Sequence, residues 1–211
     1  MRTARSVVEP RGPGRPRDPA IDLAVITVAQ RHLAEHGYEA MSLAAIADEA
    51  GTTRQALYRR YPSKADLATA AIAAIAAAEG RADTDDPYAD LVAELEAFRV
   101  GVLRPNGIAM VGTMLQAGVD DELARLYRER IVLPRRARLR SILRRAVTEG
   151  RLPPSADLDT AVAACTGSLY GACLADSPIP EDWAARVAAL VWCGCGGTVP
   201  TGRPARRARV R

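Results

Sequence analysis

SLAAIADEAGTTRQALYRRYPSK, residues 42–64, reads as helix, tight turn, helix and stop. Leu43, Ile46, Ala47 and Ala50 fall at i, i+3, i+4 and i+7, one apolar stripe of a helix. Ser42 stands where an N-cap belongs, since its hydroxyl can accept from a free backbone N–H of the first turn. Gly51 follows the last apolar position, where a residue tolerant of positive φ ends a helix at little cost. Thr53 caps a second helix predicted over 54–61, with Leu57 and Tyr61 as its inner face and Pro62 as its stop. Arg54, Gln55, Tyr58 and Arg59 lie on the opposite side. Two helices joined by a short turn containing Gly, the second presenting Arg, Gln and Tyr outward, have the form of a helix-turn-helix reader of DNA.

Each outward position has a definite chemistry. Arg54 can pair bidentately with guanine and Gln55 with adenine, and either pair discriminates between bases by ~1–3 kcal/mol. Thr53 offers its hydroxyl to a phosphate. Tyr58 and Arg59, one turn later, reach phosphate or a thymine methyl, while Arg59 and Arg60 also fit a plain solvated pair. Ser63 caps a further helix, so Lys64 falls in its first turn, where a cation opposes the helix dipole. Lys64 is also the only lysine in a chain whose 29 basic residues are otherwise arginine. A lone ammonium placed against the dipole suggests a phosphate clamp.

Composition bounds the rest. Hydrophobic residues make up 48% of the 211, enough for a core, but aromatics only 4%, which favours closely packed Ala-rich helices over sheets. No stretch alternates convincingly, so an all-α fold is expected. No uninterrupted apolar run is long enough to span a bilayer, and the first residues lack the apolar segment of a secretory signal. A cytoplasmic protein is expected. The net charge of +4 says little about nucleic acid, because a GC-rich genome enriches Arg by itself; only the placement of arginines is informative. Cys165, Cys173, Cys193 and Cys195 are expected as reduced, buried small hydrophobes, and no histidine lies near the Cys-x-Cys pair to complete a metal site.

Upstream, 1–17 reads as a flexible basic arm. Its RGPGRPR run carries Arg15 and fits either entry into an A·T minor groove or a solvated tail. A first helix begins at Asp18 with Pro19 at N1, buries Ile21, Val25, Val28, Ala29 and Leu33, and ends at Gly37. His32 and His36, four apart, have no acidic or Cys partner at ligand spacing and read as ordinary surface or packing residues.

The order EHGYEAMS, then LAAIADEAGTTRQALYRRYPSKADL, resembles the N-terminal domain of TetR-family transcriptional regulators. Leu57, Tyr58, Tyr61 and Lys64 match a family-like Leu-Tyr-x-x-Phe/Tyr-x-x-Lys arrangement. Arg60 departs from it, since the family often has His there. The resemblance implies a helix-turn-helix domain over 18–79, whose last helix links it to a helical ligand-sensing and dimerisation domain over 80–197. It also implies a homodimeric repressor released from a palindromic operator by a small molecule, and a phosphate-clamping role for Lys64.

In the second part Leu91, Leu95, Phe98 and Val102 form an apolar stripe, and a short helix over 108–118 carries Met110 and Met114. A longer helical segment runs from Asp120 to Glu149 and should be kinked or divided at Pro134. Its RRARLRSILRRAVTEG half reads as a solvated basic face over Leu139, Ile142, Leu143 and Ala146. Two final helices, over 157–174 and 181–193, present small and apolar residues, Leu190 among them, suited to a four-helix interface across a twofold axis. The tail, 198–211, reads as disordered and basic. Phe98, Met110, Met114, Tyr127 and Tyr170 are candidates for lining an effector cavity, with plain core as the alternative.

No nucleophile–base pairing, phosphate loop or paired catalytic carboxylates stand out, so no enzyme activity, cofactor or metal is expected. The function expected is sequence-specific binding of double-stranded DNA by a homodimer, with a small, mostly apolar effector. The alternative is a ligand-independent architectural or constitutive DNA-binding protein using both Arg-rich tails. An enzyme on a retained helical scaffold is a third reading, opposed by the intact outward face.

Overall fold

The computed structural model describes residues 19–78, 83–107 and 121–200, and every regular element among them is helical. The first four helices are α1 (Pro19–Ala40), α2 (Leu43–Glu49), α3 (Arg54–Arg60) and α4 (Lys64–Ala78). Gly37 breaks α1 with φ 75° and ψ 177°, and a further turn brings Tyr38 into the core. Gly51 turns the chain between α2 and α3 at φ 67°, a conformation that costs glycine nothing. Val25, Ala29, Leu33, Ile46, Leu57 and Leu67 form the core these helices share. Each Leu or Ile so enclosed contributes about 1.5–3 kcal/mol relative to exposure.

His32 is the packing residue expected: it is buried, and its Nε2 lies 3.0 Å from Oε1 of Glu49. That contact holds the Glu49 carboxyl below the usual carboxylate range and ties α1 to α2. The partner lies 17 residues away and was invisible to spacing along one helix. Arg60 is not a solvated cation: its Nε sits 2.5 Å from Oδ1 of Asp22 on α1, and the side chain is largely covered.

The remaining helices are α5 (Pro87–Val102), α6 (Asp121–Tyr127), α7 (Leu133–Thr148), α8 (Leu158–Leu174) and α9 (Trp183–Gly194). A π-helical turn, Arg128–Val132, joins α6 to α7. Its cause is local. Pro134 has no N–H to give the carbonyl four residues back, and the preceding turn widens, with Leu133 N–H reaching the carbonyl of Arg128. The predicted kink is therefore an expanded turn. Leu91, Leu95, Leu139, Leu143, Val162 and Trp192 lead a second core among α5, α7, α8 and α9. Leu123 and Leu126 of α6 belong instead to the first core, so α6 packs on the N-terminal helices.

The basic face of α7 is also corrected. Arg138 pairs with Asp83, Arg140 with Asp159, and Arg145 with Asp90; Arg151, just beyond the helix, pairs with Asp86 at 3.1 Å. These arginines lash α7 to the start of α5 and to α8 rather than standing in solvent. Asp90 is buried and also accepts from Thr84, from Oγ1 at 2.8 Å and from the backbone N–H at 3.0 Å. In α9, Trp183, Val187 and Val191 turn inward, but Leu190 is 72% exposed. Of the cysteines, Cys165 is fully buried and its thiol is pushed up to about 12 by burial, whereas Cys193 is exposed. Among the described residues no helix is long and apolar enough to cross a membrane.

Candidate nucleic-acid interface and effector cavity

The α2–turn–α3 unit is held by caps at both starts. Ser42 Oγ accepts from Ala45 N–H at 3.4 Å, and Thr53 Oγ1 accepts from Ala56 N–H at 3.1 Å. Thr52 N–H reaches back to the carbonyl of Ala47 at 2.9 Å, closing the turn. Leu57, fully buried, pins α3 from below. A helix fixed on one face by a single leucine and capped at its start must point its other face outward. Arg54, Gln55, Tyr58 and Arg59 are all exposed there, Tyr58 by half. None of the four makes a hydrogen bond or ion pair with another described residue. Thr53 is exposed beside them; the cap occupies an oxygen lone pair and leaves the hydroxyl proton available to donate.

Lys64 differs from that group. Its Nζ donates to the carbonyl of Glu39 at 2.7 Å and sits 4.6 Å from the centroid of the Tyr38 ring. The ammonium thus fastens the end of α1 to the start of α4, a structural task the sequence did not reveal. It keeps two further N–H donors. Ser63 caps α4 through Asp66 N–H at 3.0 Å. Arg15 lies outside the described residues, as do Met110 and Met114 and the helix expected over 108–118.

Phe98, Tyr127 and Tyr170 come together on one cavity of about 500 Å³. Its other walls include Leu33 of α1, Ile72 and Ile75 of α4, Ile131 of the π turn and Arg135 of α7. Tyr170 stands edge-on to Phe98 with ring centroids 5.5 Å apart. Burial pushes the Tyr127 hydroxyl up to about 12, and burial raises that of Tyr170 as well, so both remain protonated donors. Sequence reasoning missed the contributions of α1 and α4, because their wall residues follow the ordinary apolar periodicity of a packed helix. It missed Arg135 because that residue stands in a run of arginines.

Two polar ties join the cavity to the N-terminal helices. Arg130, on the π turn, donates to the Asp66 carbonyl at 2.9 Å and to Thr69 Oγ1 at 3.1 Å, and pairs with Asp66 Oδ1 at 2.6 Å, all on α4. Asn106, after α5, donates to the carbonyls of Leu33 and Ala34 at 3.1 and 2.6 Å. Among the described residues, no three His, Cys, Asp or Glu side chains gather in a way that could hold a metal ion.

Comparison with known proteins agrees with this architecture. Residues 25–71 match the family described as bacterial regulatory proteins, tetR family, and residues 81–191 match the tetracyclin repressor-like C-terminal domain. A related sequence, the uncharacterized HTH-type transcriptional regulator YdeS of Bacillus subtilis, is 26% identical over 161 residues, covering 74% of this chain and 80% of YdeS. The crystal structure of the TetR family transcription regulator SCO0332 superposes with a TM-score of 0.69 at 26% identity, covering 85% of this chain and 99% of the other. The regulator FadR from Bacillus subtilis, solved in complex with stearoyl-CoA, shares the fold at a TM-score of 0.59 and 17% identity, over 82% and 98% of the two chains.

Proposed function

Since the chain belongs to the TetR family of DNA-binding transcriptional regulators, we propose that it acts as a homodimeric repressor, released from a palindromic operator by a small effector. The observation that carries the DNA-reading role is the outward face of α3: Arg54, Gln55, Tyr58 and Arg59, exposed and without internal partners. Their side chains face solvent for want of any task within the fold. Arg54 and Gln55 read base edges; Thr53, Tyr58, Arg59 and the remaining donors of Lys64 hold phosphates, with Ser42 at the neighbouring helix start and Arg15 of the N-terminal arm in the adjacent minor groove.

Dimerisation through α8 and α9 supplies the second reader. The solvent side of α8 carries Ala163, Gly167, Gly171 and Leu174, and that of α9 carries Leu190. Leu174 and Leu190, 81% and 72% exposed in the single chain, are the two most exposed large apolar side chains among the described residues. A twofold axis through this face covers both and sets two α3 helices on successive major grooves ~34–36 Å apart.

The effector enters the cavity among α1, α4, α5, α6, the π turn, α7 and α8. Because α1 and α4 form part of its wall, filling the cavity moves the elements that hold α3. FadR, of the same fold, was captured with stearoyl-CoA, which supports a ligand-responsive reading. The shift between DNA-competent and released dimers equals the effector's differential affinity for the two. The protein senses its ligand rather than transforming it, and works in the cytoplasm where its DNA lies.

Selection of bound sequences from a random DNA library at ~150 mM salt, where surface charges are screened within ~8 Å, tests the reading. An enriched palindrome is expected. Binding without enrichment, lost steeply with salt, would replace it with the architectural reading. No binding would overturn both.

A further inference from the structure

Arg135 is an arginine on α7 whose ion pair, with Glu94, is a loose one at 3.9 Å. Arg138, Arg140 and Arg145 of the same helix each contact a carboxylate directly. Arg135 does not. Among the described residues its buried Nη1 makes no hydrogen bond, and Glu94 lies 3.9 Å from that atom. The guanidinium lies over the Phe98 ring, 5.0 Å from its centroid, and both residues line the cavity. A buried charged N–H left unbonded is costly, so a partner that supplies an oxygen there binds the more tightly for it.

We propose that the cavity takes an amphiphile with a singly charged carboxylate head, held by Arg135, and an apolar body lying along Leu33, Ile72, Ile75 and Ile131. This rests on the effector reading above and names its ligand class. Tyr127 and Tyr170 share the cavity with Arg135 and feel its charge. Both hydroxyls are protonated donors, which suits an acceptor-only group. Arg136 also lines the cavity. Arg31 and Arg104 stand on the same wall, so the lining is cationic and favours an anionic head. A carboxylate takes two parallel N–H groups from a guanidinium fork, a geometry a neutral alcohol or ketone does not use. The volume, about 500 Å³, is in the range of small-ligand sites.

The probes are straight-chain alkyl carboxylates of medium length and the alcohols of the same chain length, titrated calorimetrically into the full-length protein. The carboxylate is expected to bind at least tenfold more tightly than its matching alcohol. Arg135→Gln keeps the stem but removes the charge, and Glu94 retains Arg138 at 4.0 Å. That variant is expected to lose ~10- to 100-fold for the carboxylate with little change for the alcohol. Should it fold poorly by circular dichroism, Tyr127→Phe, which removes one donor and no charge, is expected to weaken the carboxylate selectively. Equal affinity for the two heads, no binding of either series, or carboxylate affinity unchanged in the variants would overturn the proposal. Release of operator DNA is measured in parallel. Carboxylate binding that depends on Arg135 but releases no DNA leaves this inference standing and removes the effector reading. Release by alcohols as effective as by carboxylates does the reverse.

Discussion

Helices α3 and α7 are both arginine-rich, and composition cannot separate them. On α3, Arg54 and Arg59 face solvent without partners among the described residues. On α7, Arg138, Arg140 and Arg145 each meet an aspartate on another segment. An arginine with a carboxylate already in hand serves the fold, and one without is left available to a partner outside it. Arg60 and Lys64 fall between: one helical turn from the reader, yet bound to Asp22 and to the Glu39 carbonyl. The lesson is that the sign and density of charge along a helix matter less than whether each charge is internally answered.

The largest effect should come from the paired class. Asp90→Ala leaves Arg145 without its buried acid and removes the acceptor for Thr84, and is expected to cost about 3 kcal/mol in urea unfolding, with operator affinity of the folded fraction unchanged. A loss of DNA affinity at full stability would break the distinction. The acid limb sharpens it. Burial pushes the Asp90 carboxyl up, but the hydrogen bonds from Arg145 and Thr84 and the Arg145 charge outweigh this and hold it below the usual range. Its contribution is therefore complete above the unfolded carboxyl value and is lost as pH falls through the lower folded one. Wild type should lose stability below pH ~4 more steeply than Asp90→Ala.

Arg54→Ala should do the opposite: an unchanged melting temperature and a loss of about 1–3 kcal/mol in discrimination at one base position, read by competition binding. The neighbouring pair divides the classes within two residues. Arg59→Ala should lower the salt slope of DNA binding by about 1 with no change in melting, while Arg60→Ala should cost about 1 kcal/mol of stability and leave the slope alone. Lys64→Ala should move both observables, by about 1 kcal/mol in stability and a comparable amount in affinity, since Nζ has one bond inside and two donors to spare. Arg186→Ala should do least. Its pair with Asp182 is exposed on both sides, and an effect beyond about 0.5 kcal/mol would show that pairing alone, without burial, fixes the class.

Much of this was legible in the chain. The caps at Ser42 and Thr53, the turn at Gly51 and the inner leucine at position 57 are local rules, settled by residues within one or two turns, and the structure repeats them. The outward face of α3 follows from the same periodicity. Pro134 announced a break, though not that it takes the form of a widened turn. The partners of His32, Arg60, Arg130 and the α7 arginines come from 17 to 64 residues away, and no spacing along one helix encodes them. Phe98, Tyr127 and Tyr170 could be picked as candidates by type, but that they share one cavity with α1 and α4 depends on how three segments meet.

The sequence by itself determined the helices, their ends and the face of α3 turned to solvent, because hydrogen bonds and side-chain period within a helix reach only about four residues. The tertiary structure alone decided which charges are closely paired, that α6 belongs to the N-terminal core, and that Arg135 lines a cavity with only a loose pair to Glu94. Those outcomes depend on contacts made through space, where an aspartate a few ångströms nearer turns a binding group into a brace.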